Sequence, residues 1–287
     1  MAYIELKDVT YTYPLADRPS LSHVDLKIEK GRFYAVIGAN GSGKTALCNL
    51  IRGFIPEFYQ GDLLGEVIFD GKPLSEYDSG DLAWRIGYIF QNPFNQITGA
   101  RDTVFAEIAY GLENMGLPVC QIRERVKSVM ETTGIADLKD KNPFELSGGQ
   151  QQRVAFASVL VLEPDVFVID EPTSQLDPRE TKRVFDIIDG MKAMGKTIIL
   201  VEHKMELVAR YCDEVIVLSD GKLVCTGEKH DVLSRVELLD DGVMLPQAVL
   251  LADTLRKQGR PIQGNPITLS EILPMLSKQI GFAGKEG

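Results

Sequence analysis

Phe33-Tyr34-Ala35-Val36-Ile37-Gly38-Ala39-Asn40-Gly41-Ser42-Gly43-Lys44-Thr45 is the stretch on which the fold turns. Phe33 to Ile37 is apolar without alternation, the pattern of a strand buried on both faces. The next eight residues fit G-x-x-x-x-G-K-[ST] in full, and the segment from Lys44 favours a helix. Strand, glycine loop and helix in that order make a phosphate cradle. Gly38, Ala39, Asn40, Gly41, Ser42 and Gly43 turn backbone N–H groups inward, and the helix N-terminus adds positive potential. Lys44 reaches the β and γ phosphates, and Thr45 offers a hydroxyl to Mg²⁺. The bland alternative is a glycine-rich turn with a solvated lysine. The strand and helix signals on either side, which do not depend on the loop, count against it.

Working outward, the same strand grammar recurs at Ile86 to Phe90, Val166 to Ile169 and Ile198 to Val201, with helical segments between. Buried strands alternating with helices predict an α/β fold with a parallel sheet and crossover connections. Upstream, Ile4, Leu6 and Val9, then Val24, Leu26 and Ile28, alternate with polar residues and predict an antiparallel sheet. From about Gln91 to Leu162 only helical stretches occur, broken at Gly116-Leu117-Pro118 and Asn142-Pro143; this predicts a helical insertion. From about 230 onward, helix-compatible pieces at Pro246 to Lys257 and Ser270 to Gln279 predict a C-terminal appendage, with Gly284 to Gly287 expected to fray.

Composition narrows the classes. The 287 residues are 44% hydrophobic, enough for a sizeable core, and 31 Lys and Arg against 41 Asp and Glu give 31 − 41 = −10. That balance disfavours nonspecific attraction to nucleic acid or anionic lipid. The longest apolar runs, such as Val159 to Leu162 and Val215 to Leu218, fall far short of the ~20 residues of a membrane span. Met1 to Glu5 carries no secretory pattern. Cys48, Cys120, Cys212 and Cys225 show no CxxC spacing and read as reduced thiols packed as small apolar residues in a cytosolic compartment.

Two further segments carry chemistry. Val166 to Ile169 ends in Asp170-Glu171. A buried parallel strand delivers its last residues to the ligand crevice of an open α/β sheet, so Asp170 can support Mg²⁺ and Glu171 can polarise a water as general base. A strand ending in a polar turn is the alternative for this segment taken alone. Leu146-Ser147-Gly148-Gly149-Gln150 opens a helix with the form of a capping box, Ser147 three residues before Gln150. Such a start is ordinary, yet its bare glycine amides also make an anion site.

Together the Walker A loop at 38–45, LSGGQ at 146–150, the Walker B strand with Glu171, Ser174-Gln175-Leu176-Asp177 and His203 resemble the ATP-binding cassette (ABC) ATPases. The resemblance spans roughly 1–227. It implies a P-loop NTPase cassette: a RecA-like core, an antiparallel β subdomain and a helical subdomain at about 92–162, completed by 229, with 230–287 a C-terminal helical region. It also implies ATP and Mg²⁺, and a head-to-tail dimer in which each ATP lies between one phosphate loop and the LSGGQ helix of the other subunit. Gln91 then resembles the glutamine that senses Mg²⁺ and water, Glu171 the catalytic base, Asp177 the residue that communicates across the dimer, and His203 the switch histidine on the γ-phosphate. Ser147, Gly148, Gly149 and Gln150 become ATP contacts. Tyr13 matches the aromatic that stacks on adenine, though Tyr11 is an open alternative.

Tyr11-Thr12-Tyr13-Pro14, Phe90 to Gln96 and Thr103 to Asn114 resemble more closely the ATPases of energy-coupling factor (ECF) transporters, importers of vitamins or transition-metal ions. This implies a homodimer or heterodimer at the cytoplasmic face of the membrane, with a transmembrane coupling subunit, a separate membrane subunit that binds the cargo, and no nucleic acid. The C-terminal region would assist pairing. Glu202-His203-Lys204 departs from the commoner Thr-His-Asp. Glu107 is read either as accepting a basic residue of a docked membrane helix or as a solvated helix carboxylate; His23 and His230 are read as structural.

Overall fold

The computed structural model describes residues 2–260 and 262–280; Gly284 to Gly287 lie outside them. The chain opens with β1 (Ile4–Thr12) and β2 (Leu21–Ile28), paired antiparallel. β3 (Phe33–Ile37) leads through the glycine loop into α1 (Lys44–Arg52). β4 (Asp62–Phe69) and the short β5 (Lys72–Pro73) complete an antiparallel sheet of order β2-β1-β4-β5. β4 escaped the sequence reading because Gly65 breaks its alternation. A Cβ on Gly65 would sit 2.4 Å from the Asp8 carbonyl oxygen, and the β1–β4 register shifts between Lys7 and Thr10. That is a bulge, where glycine allows close backbone approach.

α2 (Ser79–Arg85) runs straight into β6 (Ile86–Ile89). The expected insertion follows as α3 (Val104–Asn114), α4 (Val119–Thr132) and α5 (Gly148–Leu160). The chain returns in β7 (Val166–Asp170), α6 (Pro178–Ala193), β8 (Thr197–Val201), α7 (Met205–Tyr211), β9 (Glu214–Ser219) and β10 (Lys222–Glu228). The second sheet has order β10-β9-β3-β8-β7-β6, all parallel except the β9–β10 hairpin. Val215 to Leu218, noted in the sequence only as an apolar run, thus lies in the fifth strand of the parallel set. The Asp220-Gly221 turn, both residues at positive φ, closes its hairpin.

The continuous apolar runs follow from burial on both faces. Phe33, Ala35 and Ile37 join the core that includes the helical insertion, while Tyr34 and Val36 join the core shared with α1 and the antiparallel sheet. Each such side chain removed from water contributes roughly 1.5–3 kcal/mol, so no polar position survives in β3. Beyond Glu228 come α8 (Lys229–Leu233), α9 (Gln247–Lys257) and α10 (Leu269–Ile280). This region packs on the same core as the sheet, through Val232, Leu238, Val243, Leu245, Val249 and Ile267. A smaller cluster of Ala248, Ala252, Ile262 and Ile272 joins α9 to α10. His230 faces Glu271 Oε1 at 3.1 Å and ties α8 to α10. Cys48 and Cys212 are buried as expected, but Cys120 is exposed on α4, so packing does not account for that thiol. No helix among the described residues is long and apolar enough to cross a membrane.

Candidate functional site

The site forms where β3, β7 and β8 end side by side. Gly38 leaves β3 at φ +152°, and a Cβ there would lie 2.1 Å from the Leu218 carbonyl oxygen, so only glycine can begin this loop. The loop closes on itself: Lys44 Nζ donates to the carbonyl oxygens of Gly38 and Ala39 at 3.0 and 2.8 Å. Lys44 is 6% exposed, and burial holds its ammonium below the usual lysine range against the pull of Glu171 and Asp170. Ser42 Oγ is buried in the same loop without a hydrogen-bond partner. A buried hydroxyl left unpaired beside a lysine held by carbonyls fits a loop that receives an anionic phosphate chain.

Across the loop, Thr45 Oγ1 donates to Asp170 Oδ2 at 3.1 Å, and the Tyr88 hydroxyl donates to the same oxygen at 3.3 Å. Burial raises the Asp170 carboxyl above the usual carboxylate range, helped by the neighbouring Glu171 charge and opposed by those two donors. A hydroxyl and a carboxylate oxygen are hard donors, the set that suits Mg²⁺.

Glu171 follows β7 in the left-handed region, φ +46°. For a non-glycine residue this costs on the order of 1–3 kcal/mol and persists only where surroundings enforce it. Its N–H donates to Val201 of β8 at 3.0 Å, which fixes the turn. The carboxylate is held from two sides: Gln91 Nε2 donates to Oε2 at 2.8 Å, and His203 Nε2 lies 2.8 Å from Oε1. Two residues far apart in sequence, each just past a strand, therefore converge on the carboxylate of a third. A cleft of about 480 Å³ opens here, lined by Gly38, Ala39, Asn40, Glu171 and His203, and also by Gly242 and Met244 of the C-terminal region.

Ser147, Gly148, Gly149 and Gln150 do not line that cleft. They start α5 with the expected reciprocal cap: Ser147 Oγ accepts the Gln150 N–H at 3.4 Å, and Gln150 Oε1 accepts the Ser147 N–H at 3.0 Å. Asp177 caps α6, accepting from the N–H groups of Arg179 and Glu180 at 2.7 and 2.9 Å, and those amides hold its carboxyl below the usual range. Tyr11 is fully buried and its hydroxyl donates to the Gln60 carbonyl at 2.6 Å, so neither ring face is free for a base. Tyr13 is half-buried at the end of β1, edge-on to Tyr11 with centroids 4.7 Å apart.

Glu107 corrects the solvated reading of that helix carboxylate. It is 4% exposed, Oε1 accepts the Thr98 N–H at 2.5 Å, and Oε2 is buried without a partner. Sequence reasoning also missed Tyr88, Glu202, Lys204 and the Gly242–Met244 approach. Tyr88 left a usable trace, a hydroxyl in a strand that otherwise carries apolar side chains, and Glu202 and Lys204 left another, as the departures that flank His203.

Fold and site define a phosphate-loop nucleotide hydrolase. Comparison with known proteins makes the class definite. A family model described as ABC transporter matches residues 21–174. The energy-coupling factor transporter ATP-binding protein EcfA2 of Symbiobacterium thermophilum is 36% identical over 272 residues, 93% of this chain and 91% of that protein. The structure of CbiO1 from Clostridium perfringens, part of the transporter complex CbiONQ, superposes with a TM-score of 0.73 at 34% identity over 83% of this chain and 93% of its own. The dimeric ATP-binding cassette MJ0796, in a post-hydrolysis state with ADP and Pi, superposes at 0.68 with 26% identity over 78% and 98%. The chain belongs to the ABC transporter family, as an ATP-binding, ATP-hydrolysing subunit with the cassette fold.

Proposed function

We propose that this chain is the ATPase subunit of an ECF-type importer, driving uptake of a vitamin or transition-metal ion through separate membrane subunits at the cytoplasmic face. The observation that carries the catalytic part is the Glu171 carboxylate suspended between Gln91 and His203 at the mouth of the phosphate loop. Glu171 takes a proton from the attacking water as general base. His203 orients that carboxylate and contacts the γ-phosphate. Lys44 and the loop amides hold the phosphates, and Tyr13 stacks on adenine. Thr45, Asp170 and Gln91 would hold Mg²⁺, which offsets phosphate charge.

The signature residues Ser147 to Gln150, absent from the cleft, would reach the nucleotide of a second ATPase subunit. Each γ-phosphate then bridges two chains through charge-assisted hydrogen bonds, and its release reopens the pair. Asp177 faces the partner's site, and the C-terminal region assists pairing, in a homodimer or heterodimer. A membrane helix docks beside Gln91 and the segment 92–111. Glu107 braces that segment through Thr98, and its buried, unpaired Oε2 meets a basic residue of the docked helix only when docking shifts the segment that covers it.

Similarity to EcfA2 and CbiO1 supports the ECF assignment. Its test is affinity capture of the tagged chain from native membranes, followed by identification of partners. A coupling subunit and a small cargo-binding membrane subunit are expected. A conventional permease, or no membrane partner, would replace the ECF reading while leaving the ATPase intact.

A further inference from the structure

The residues flanking His203 are built unlike ordinary surface positions. Glu202 is 3% exposed, and both of its oxygens are engaged. Oε1 accepts the backbone N–H groups of His203 and Lys204, each at 3.0 Å, and Oε2 accepts from Thr173 Oγ1 at 2.8 Å. Lys204 Nζ donates to the Thr173 carbonyl oxygen at 2.9 Å and to Thr181 Oγ1 at 3.2 Å. Thr173, itself fully buried, is therefore gripped at its hydroxyl by Glu202 and at its carbonyl by Lys204.

Thr173 lies between Glu171 and Asp177. The segment is knitted at both ends: the Ser174 N–H donates to the Glu171 carbonyl at 3.4 Å, the Leu176 N–H to the Thr173 carbonyl at 3.2 Å, and Asp177 caps α6. A buried carboxylate is costly to desolvate and adds little stability over an apolar side chain of similar size. Here it spends its hydrogen bonds joining the loop that borders the cleft at Glu202 and His203 to the segment that follows Glu171.

We propose that Glu202 and Lys204 are positioning residues that fasten the His203 loop to the Thr173–Asp177 segment. A displacement of His203 by the γ-phosphate is carried by these bonds to the loop bearing Asp177, and so to the neighbouring subunit. This inference rests on the ATPase and dimer reading above, and adds the physical link between the two loops.

The test uses the full chain in the assembly that hydrolyses MgATP, as parent, Lys204→Met and Lys204→Arg. We expect Lys204→Met to keep ATP affinity within about twofold but to lower turnover at saturating MgATP at least fivefold, with Lys204→Arg recovering more than half. Amide exchange in a Glu171→Gln background gives the second readout. MgATP should slow exchange at both 38–45 and 173–177 in the parent, and at 38–45 alone once Lys204→Met is added. Unchanged turnover, or an unchanged MgATP effect at 173–177, overturns the proposal; a residue of merely structural importance would alter exchange equally with and without nucleotide. If Lys204→Met loses its native thermal transition, Thr181→Val, which deletes one acceptor of the ammonium, carries the same test. A parent that neither binds nor hydrolyses ATP would sink the underlying reading instead, and would do so before any substitution at 204.

Discussion

The phosphate loop and the signature helix are both helix starts rich in glycine, and they are finished in opposite ways. At the start of α5 the cap is complete: Ser147 and Gln150 cap one another, and Gln151 Nε2 donates to the Pro143 carbonyl at 3.2 Å, the unpaired buried nitrogens lying further along at Gln152 and Arg153. At the phosphate loop the demands are left open. Ser42 Oγ has no partner, Lys44 falls back on backbone carbonyls, Asp170 is held protonation-prone by burial, and Glu171 sits at φ +46°. On the proposed function, the self-capped helix start is the surface that meets an anion presented by a second subunit. A loop with unpaired buried groups is a receptor whose native ligand completes it, and stability is forgone to keep it so.

The largest effect is expected at Glu171. Glu171→Gln should cut phosphate release by ~10²–10⁴-fold, the range for loss of a general base, while ATP binding persists. Size exclusion with MgATP should then show a trapped dimer; a chain that stays monomeric contradicts the assignment. Lys44→Ala comes next. Losing charge-assisted contacts worth about 1.5–3 kcal/mol should weaken ATP binding roughly 10- to 150-fold, measured by titration of the single chain, and wild-type affinity would refute the cradle.

Ser147→Ala sharpens the opposite side. It removes a helix cap, costing about 1 kcal/mol of unfolding free energy, and should weaken MgATP-dependent pairing without changing ATP affinity of the single chain. A changed single-chain affinity would mean the signature helix belongs to its own phosphate site. The smallest effect is at Asp170. Its carboxyl is raised above the unfolded value of about 3.9, so the stability it contributes is present below that value and lost as pH rises through the raised one. Asp170→Asn should therefore melt higher than the parent at pH 7 without nucleotide, with the difference closing toward pH 4. Thermal scans giving identical midpoints at every pH would remove burial as the cause.

Much of this was legible because it is local. The strand, glycine loop and helix at 33–52, the capping box at 147–150 and the insertion after Gln91 follow from propensities and periodicities within a few residues. β4 was illegible because the glycine bulge against Asp8 erased its alternation. The sequence favoured Tyr13 but left Tyr11 open; the packing of Tyr11 under the Tyr59–Gln60 turn, invisible in sequence, leaves that ring no free face. Glu107 had two readings in sequence, and the solvated one falls because the 92–98 loop folds over the carboxylate.

By itself the sequence determined the strand, glycine loop and lysine at 33–45 that a phosphate cradle requires, since a backbone that must place N–H groups around an anion needs glycines and a lysine in one short run. Tertiary structure alone decided that Gln91 and His203, 80 and 32 positions from Glu171, grip the same carboxylate. It also decided that Glu202 and Lys204 reach across to Thr173. Strand order sets those meetings. Order is chosen by burial summed over both faces of the sheet, a quantity that no single stretch of sequence contains.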